Sequence, residues 1–125
     1  MSKDGQSNKP KVLVVDDERV IADTLAIILN QGGFDASAVY TGTGAVERAR
    51  TDKPDLIISD VIMPDMNGIE AAIKIREILP ACKILLFSGQ AATADLLEKA
   101  RLQGHEFEIL AKPVHPQDLL AKLRS

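Results

Sequence analysis

Five short apolar runs, "KVLVVD", "FDASAVY", "DLIISD", "KILLFS" and "FEILAK", recur along the chain, each followed by a stretch with helical periodicity. No other feature restricts the fold as strongly. Most of the runs are β-branched or Leu-rich without clean polar alternation, which suits parallel strands covered on both faces. "FDASAVY" has the least of this character.

The intervening stretches read as helices with identifiable ends. Ile21, Leu25, Ile28 and Leu29 fall on one helical face, and Gly32-Gly33 supplies a left-handed cap after them. Further helices are expected over residues 44–51, 68–79 and 91–103, the third stopped by Pro80 and the fourth by Gly104. Pro116 suits the first turn of a last helix whose Leu119, Leu120 and Leu123 pack back on the sheet.

Alternating strand and helix, with crossovers of one hand, makes an α/β domain. The expected fold is a flavodoxin-like, doubly wound, five-stranded parallel sheet of order 2-1-3-4-5, a (βα)5 arrangement. At 125 residues, 46% hydrophobic and 26% charged, the chain has the composition of one compact domain. Residues 1–10 are expected to form a flexible tail and residues 11–125 the domain.

In such sheets the working site lies outside the carboxyl ends of the strands. Those ends carry Asp16 and Asp17 after the first run, Asp60 after the third, Ser88 after the fourth and Lys112 after the fifth. Taken singly, each has an ordinary explanation: acids cap helices, Ser is a turn residue, and an exposed Lys needs no role. The order 2-1-3-4-5 brings them to one edge. Carboxylates gathered there repel one another, and a cation among them relieves the repulsion. Mg²⁺ fits, because it takes oxygen ligands, keeps several waters and is held by one or two carboxylates plus a phosphate oxygen. Beside it, Asp60 can act as a nucleophile on phosphorus while the Lys112 ammonium and Ser88 hydroxyl engage the transferred oxygens. Glu18, the next acid after the pair, is expected in the first turn of the first helix, where negative charge suits the helix dipole.

Composition excludes several other classes. The formal net charge is −3, the pI about 5.3, and Lys and Arg are scattered, so the basic footprint of direct nucleic-acid binding is missing. With aromatics at 3% and no Trp, there is no stacking platform for single strands. Cys82 is the only cysteine and reads as inert filler in a reducing compartment. "MSKDGQSNKP" lacks the apolar stretch of a signal peptide, and no apolar run is long enough to span a membrane, so no membrane association and a cytoplasmic location are expected.

The segments "VVDDE", "ISDVIMPDMNG", "LLFSG" and "AKPV", in that order, resemble the response-regulator receiver domains of two-component signalling, over roughly residues 11 to 123. "DVIMPDMNG" is similar to the signature that follows the phosphoacceptor in that family. The resemblance implies Asp60 as phosphoacceptor, Asp16 and Asp17 as the acidic pocket around Mg²⁺, and the Ile62 backbone carbonyl as a further metal ligand. It assigns Ser88 and Lys112 the family's hydroxyl and lysine roles, and it implies a cis peptide between Lys112 and Pro113, accessible to an X-Pro bond.

One position departs from the family pattern. Receivers usually carry an aromatic three residues before the lysine, and here that position is Ile109. The stretch "GHEFEILAKP" is also one residue longer than the common pattern, and Phe107 lies two residues before Ile109. Two readings stand: Phe107 replaces the missing switch aromatic, or it is an ordinary core residue of a strand.

The expected function is a binding module switched by phosphorylation, with a sensor histidine kinase as donor and a downstream protein as the partner for output. The resemblance implies a monomer or a phosphorylation-dependent homodimer. With only one helix after Lys112, no DNA-binding or enzymatic output domain is expected in this chain. A phosphorelay intermediate, passing its group to a histidine phosphotransfer protein, needs the same site. Phosphatases with an Asp nucleophile and Mg²⁺ are the enzymatic rival, but they place a second Asp two residues on as general acid and base, where this chain has Ile62. A flavin module shares the fold, but an acidic pocket repels a phosphate that comes without a metal. "GTGAVE", at residues 42–47, starts like a dinucleotide fingerprint but has Glu47 where the third glycine belongs. His105 and His115 are expected in loops, and Met63 and Met66 are expected to pack and shape the acceptor loop.

Overall fold

Each element of the computed structural model follows from a local cue in the chain, and the model describes residues 9–89, 93–111 and 115–124. Strands β1 (Lys11–Val15), β2 (Asp35–Val39), β3 (Leu56–Asp60), β4 (Lys83–Ser88) and β5 (Glu108–Ala111) alternate with helices α1 (Arg19–Gln31), α2 (Gly42–Asp52), α3 (Gly68–Ile78), α4 (Thr93–Leu102) and α5 (Pro116–Arg124). All the strand pairings are parallel, in the order β2-β1-β3-β4-β5.

Side chains of successive strand residues point to opposite faces, and both faces are covered. Leu13, Val15, Ile57 and Leu86 pack with α2, α3 and α4, while Val12, Val14, Ile58 and Phe87 pack with α1 and α5. Every residue of β3 is buried, which accounts for the apolar Leu56, Ile57 and Ile58 that open it before Ser59 and Asp60. The edge strand β5 is largely exposed, so its "EILA" has no such constraint.

The helix ends show which cues acted. After α1, Gly33 takes φ 99°, the Phe34 N–H reaches the Leu29 carbonyl at 3.1 Å and the Gly33 N–H that of Asn30 at 3.5 Å, a Schellman closure. Helix α2 begins at Gly42, two residues before the expected start, because the Thr41 hydroxyl accepts the Gly44 N–H at 2.9 Å and so serves as its N-cap. Helix α3 ends one residue short of Leu79, which becomes its cap. Within the described residues α4 starts at Thr93; the expected start at Ala91 lies outside them. Gly104, at φ 93°, follows α4 as expected.

Glu18 is corrected. It is the N-cap of α1 with an extended backbone (φ −82°, ψ 102°), and the first turn contains no acid. The cause is local: Asp16 Oδ1 accepts the Glu18 N–H at 2.9 Å, an Asx-turn that holds this residue outside the helix.

Candidate phosphoacceptor site

Asp16 and Asp60 reach the same edge because their strands are paired in register. Val15 faces Ser59 across the β1–β3 ladder, so the next residue on each strand emerges beside the other. Asp16 is fully buried and Asp60 is 7% exposed, whereas Asp17, one residue past the strand, is exposed. One carboxylate oxygen from each of the three lies within 4.8 Å of the others. The predicted acidic trio is therefore brought together. An all-oxygen donor set with two buried members and one solvent-facing member matches what a hard divalent cation takes while keeping waters on its open side.

Backbone geometry around Asp60 is tightly held. The Ser59 hydroxyl donates to the Asp60 carbonyl at 2.9 Å, and the Gly68 N–H donates to the Val61 carbonyl at 2.7 Å. A Cβ at Gly68 would overlap the Asp60 carbonyl oxygen and approach the Val61 Cα to 3.1 Å, so only glycine lets α3 start this close to the acceptor strand. Asn67 caps that helix: its Oδ1 accepts the Glu70 N–H at 2.8 Å, and its Nδ2 donates to Glu70 Oε1 at 3.1 Å. Met63 is buried and Met66 packs against the core, the shaping role expected of both. Ile62, the residue before Met63, is 41% exposed on the loop that follows Asp60.

Ser88 ends β4, one residue beyond the Asp60–Phe87 pair, and is partly buried. Its register partner is Ala111. Lys112 follows Ala111 in the chain; it and the Lys112–Pro113 bond lie outside the described residues.

Phe107 does not reach this edge. It precedes β5, whose first residue, Glu108, pairs with Leu85, so Phe107 stands four residues, about 13 Å of strand, before the Ala111–Ser88 pair. The Arg76 guanidinium sits 4.2 Å over the Phe107 ring and donates to the Glu106 carbonyl at 2.8 Å. His105 stacks on the same ring, centroids 6.4 Å apart. The ring is a packing residue at the opposite end of the sheet. Ile109, the position where the family carries its aromatic, is 37% exposed.

Sequence reasoning missed Asp65. Its carboxylate accepts the Gly42 N–H at 3.1 Å, the Thr43 N–H at 3.0 Å and the Thr43 hydroxyl at 2.7 Å, across more than twenty residues of sequence. These bonds, led by the two from Thr43, hold its pKa down at about 2. No local pattern signals a contact of that sequence separation.

A doubly wound parallel sheet with three clustered carboxylates at its carboxyl edge is the architecture of a receiver-type phosphoacceptor. Consistent with this, the family model described as the response regulator receiver domain matches residues 12–124, and the chain belongs to that family. It is 31% identical over 114 residues to the probable transcriptional regulatory protein TcrX of Mycobacterium tuberculosis, and 32% identical over 114 residues to the transcriptional regulatory protein CreB of Escherichia coli. Each match covers 91% of this chain but 48% and 49% of those proteins, so the chain spans about half the length of the curated relatives it matches. Among solved structures, a CheY-like receiver domain protein from Methanospirillum hungatei superposes with a TM-score of 0.83 at 26% identity, covering 94% of this chain and 92% of that one. The chemotaxis protein CheY4 of Vibrio cholerae superposes with a TM-score of 0.81 at 29% identity, covering 93% and 97%.

Proposed function

We propose that residues 11–125 act as a receiver unit in which Asp60 accepts a phosphoryl group from the phosphohistidine of a sensor kinase. The observation that carries the reading is the buried Asp60 carboxylate held within 4.8 Å of the carboxylates of Asp16 and Asp17. A carboxylate oxygen of Asp60 attacks phosphorus, the bond from phosphorus to the donor nitrogen breaks, and the imidazole leaves with its electron pair. Asp16, Asp17, Asp60 and the Ile62 carbonyl would hold Mg²⁺, which supplies positive charge against the carboxylates and the phosphoryl oxygens. Ser88 is assigned to a phosphoryl oxygen through its hydroxyl, and Lys112 to another through its ammonium.

The domain is a signalling switch and does not turn over external phosphate esters, because Ile62 has no proton to exchange where an Asp-nucleophile phosphatase needs its general acid. New contacts of Ser88 and Lys112 to the phosphoryl group bias the surrounding loops between two states, and a downstream protein reads the difference. The chain works as a monomer or a phosphorylation-dependent homodimer in the cytoplasm. A single cysteine and the lack, among the described residues, of any helix able to cross a membrane agree with that location.

The test is intact-mass measurement after incubation with acetyl phosphate and Mg²⁺. The wild type gains one phosphoryl group and Asp60→Asn gains none; equal phosphorylation of the two refutes the assignment.

A further inference from the structure

The loop that carries Ile62 from Asp60 to α3 is anchored at both ends. Its start is tied by the Gly68 N–H to the Val61 carbonyl at 2.7 Å. Its far half is tied to a different element: Asp65 takes both leading N–H groups of α2 and the Thr43 hydroxyl. The two segments also touch through their backbones, since a Cβ at Gly42 would stand 2.9 Å from the Met66 carbonyl oxygen and 3.0 Å from the Met66 Cβ. Helix α2 already has its own N-cap in Thr41, which serves Gly44. Asp65 therefore satisfies the remaining leading amides from outside the helix and uses them to hold the loop.

We infer that Asp65 is a positioning residue for phosphoryl acceptance, clasping the acceptor loop to the N-terminus of α2 so that the Ile62 carbonyl is pre-set for the metal. The inference rests on the receiver reading above and extends it to a residue that touches neither metal nor phosphoryl group. An immobile loop has its carbonyl in place before the metal arrives, and binding then carries no cost of ordering. Released from α2, the loop keeps its Gly68 anchor but samples other orientations at residues 62–66. The consequence is weaker metal binding in the unphosphorylated protein, followed by slower phosphoryl acceptance at limiting Mg²⁺ and near-normal acceptance at saturating Mg²⁺.

The experiment compares wild type, Asp65→Asn, Asp65→Ala and Thr43→Val in two measurements. One is the Mg²⁺ concentration giving half-maximal phosphorylation by acetyl phosphate; the other is the rise in thermal midpoint of the unphosphorylated protein on adding Mg²⁺. Asp65→Ala is expected to raise the half-maximal Mg²⁺ by about tenfold and to shrink the Mg²⁺-induced rise, the scale seen when an outer support of a metal ligand is lost. Asp65→Asn, which keeps one acceptor oxygen, falls between it and wild type, and so does Thr43→Val. Should Asp65→Ala fail to fold, Asp65→Asn and Thr43→Val carry the same comparison. A lower thermal midpoint with unchanged Mg²⁺ dependence would make Asp65 a helix cap only and overturn the inference. A wild type that takes no phosphoryl group overturns the receiver reading and this inference together, whereas normal wild-type phosphorylation with Mg²⁺ curves that coincide for all variants overturns this inference alone.

Discussion

Asp16 and Asp60 leave the sheet side by side because Val15 and Ser59, the residues before them, are partners in the β1–β3 ladder. Their separation in sequence is large, yet one register fixes their carboxylates within 4.8 Å of each other and of Asp17. Like charges so placed oppose folding until a cation joins them. In metal-free buffer, Asp17→Asn should therefore raise the thermal midpoint, and added Mg²⁺ should stabilise the wild type more than the variant. Thermal melts with chelator and with Mg²⁺ check both signs; a variant that gains as much from Mg²⁺ as wild type argues against Asp17 as a ligand.

Gly68 allows α3 to begin against the acceptor strand. Gly68→Ala places a methyl group on the Asp60 carbonyl oxygen, where backbone, not a flexible side chain, must yield. A loss of roughly 2–3 kcal/mol is expected, the upper part of the range for overpacking. Urea unfolding measures it, and a change below about 0.5 kcal/mol, the usual size for a neutral surface site, would show that the approach is looser than described.

Asp65 also gives a pH signature. Its folded pKa of about 2 lies below its ordinary value of 3.8, so its bonds to Thr43 and Gly42 add stability that is present above pH 4 and is lost as pH falls through 2. Wild type and Asp65→Asn should accordingly differ in stability at neutral pH and converge towards about pH 2. Because the side chain is exposed, the difference is screened and small, and matched urea melts at the two ends of that range are the suitable measurement.

Cys82 is buried, and that burial, with a smaller push from the Asp55 carboxylate, raises its thiol pKa to about 11. A thiol reagent at about pH 8 should modify it slowly in the native protein and fast in denaturant, where the ordinary value of about 8.5 returns. Equal rates in the two conditions would contradict its placement.

Phe107→Leu separates the two ends of the sheet. The ring packs under Arg76, about 13 Å of strand from the Ser88–Ala111 pair, so its replacement should cost roughly 1 kcal/mol of stability and leave acetyl phosphate-driven phosphorylation unchanged. A large fall in phosphorylation rate without a fall in stability would restore the ring to the switch.

The amino-acid sequence by itself determined the five strands, the five helices and the placement of Asp16, Asp60 and Ser88 at or next to strand ends. Each of these follows from local chemistry: unbroken apolar runs require cover on both faces, glycine and proline end helices, and polar residues after such runs can lie only at strand ends. Helix starts were legible to within a residue or two, since the Thr41 cap on Gly44 and the Asp16 turn onto Glu18 span only a few residues and the pattern does not fix their geometry. Only the tertiary structure decided the rest. Strand register, set by packing on both sides of the sheet, brought Asp16, Asp17 and Asp60 within one cation's reach and carried Phe107 to the far end. The clasp of Asp65 on Gly42 and Thr43 joins two loops that meet only because β1, β2 and β3 are neighbours, and no residue near Asp65 in the chain announces it.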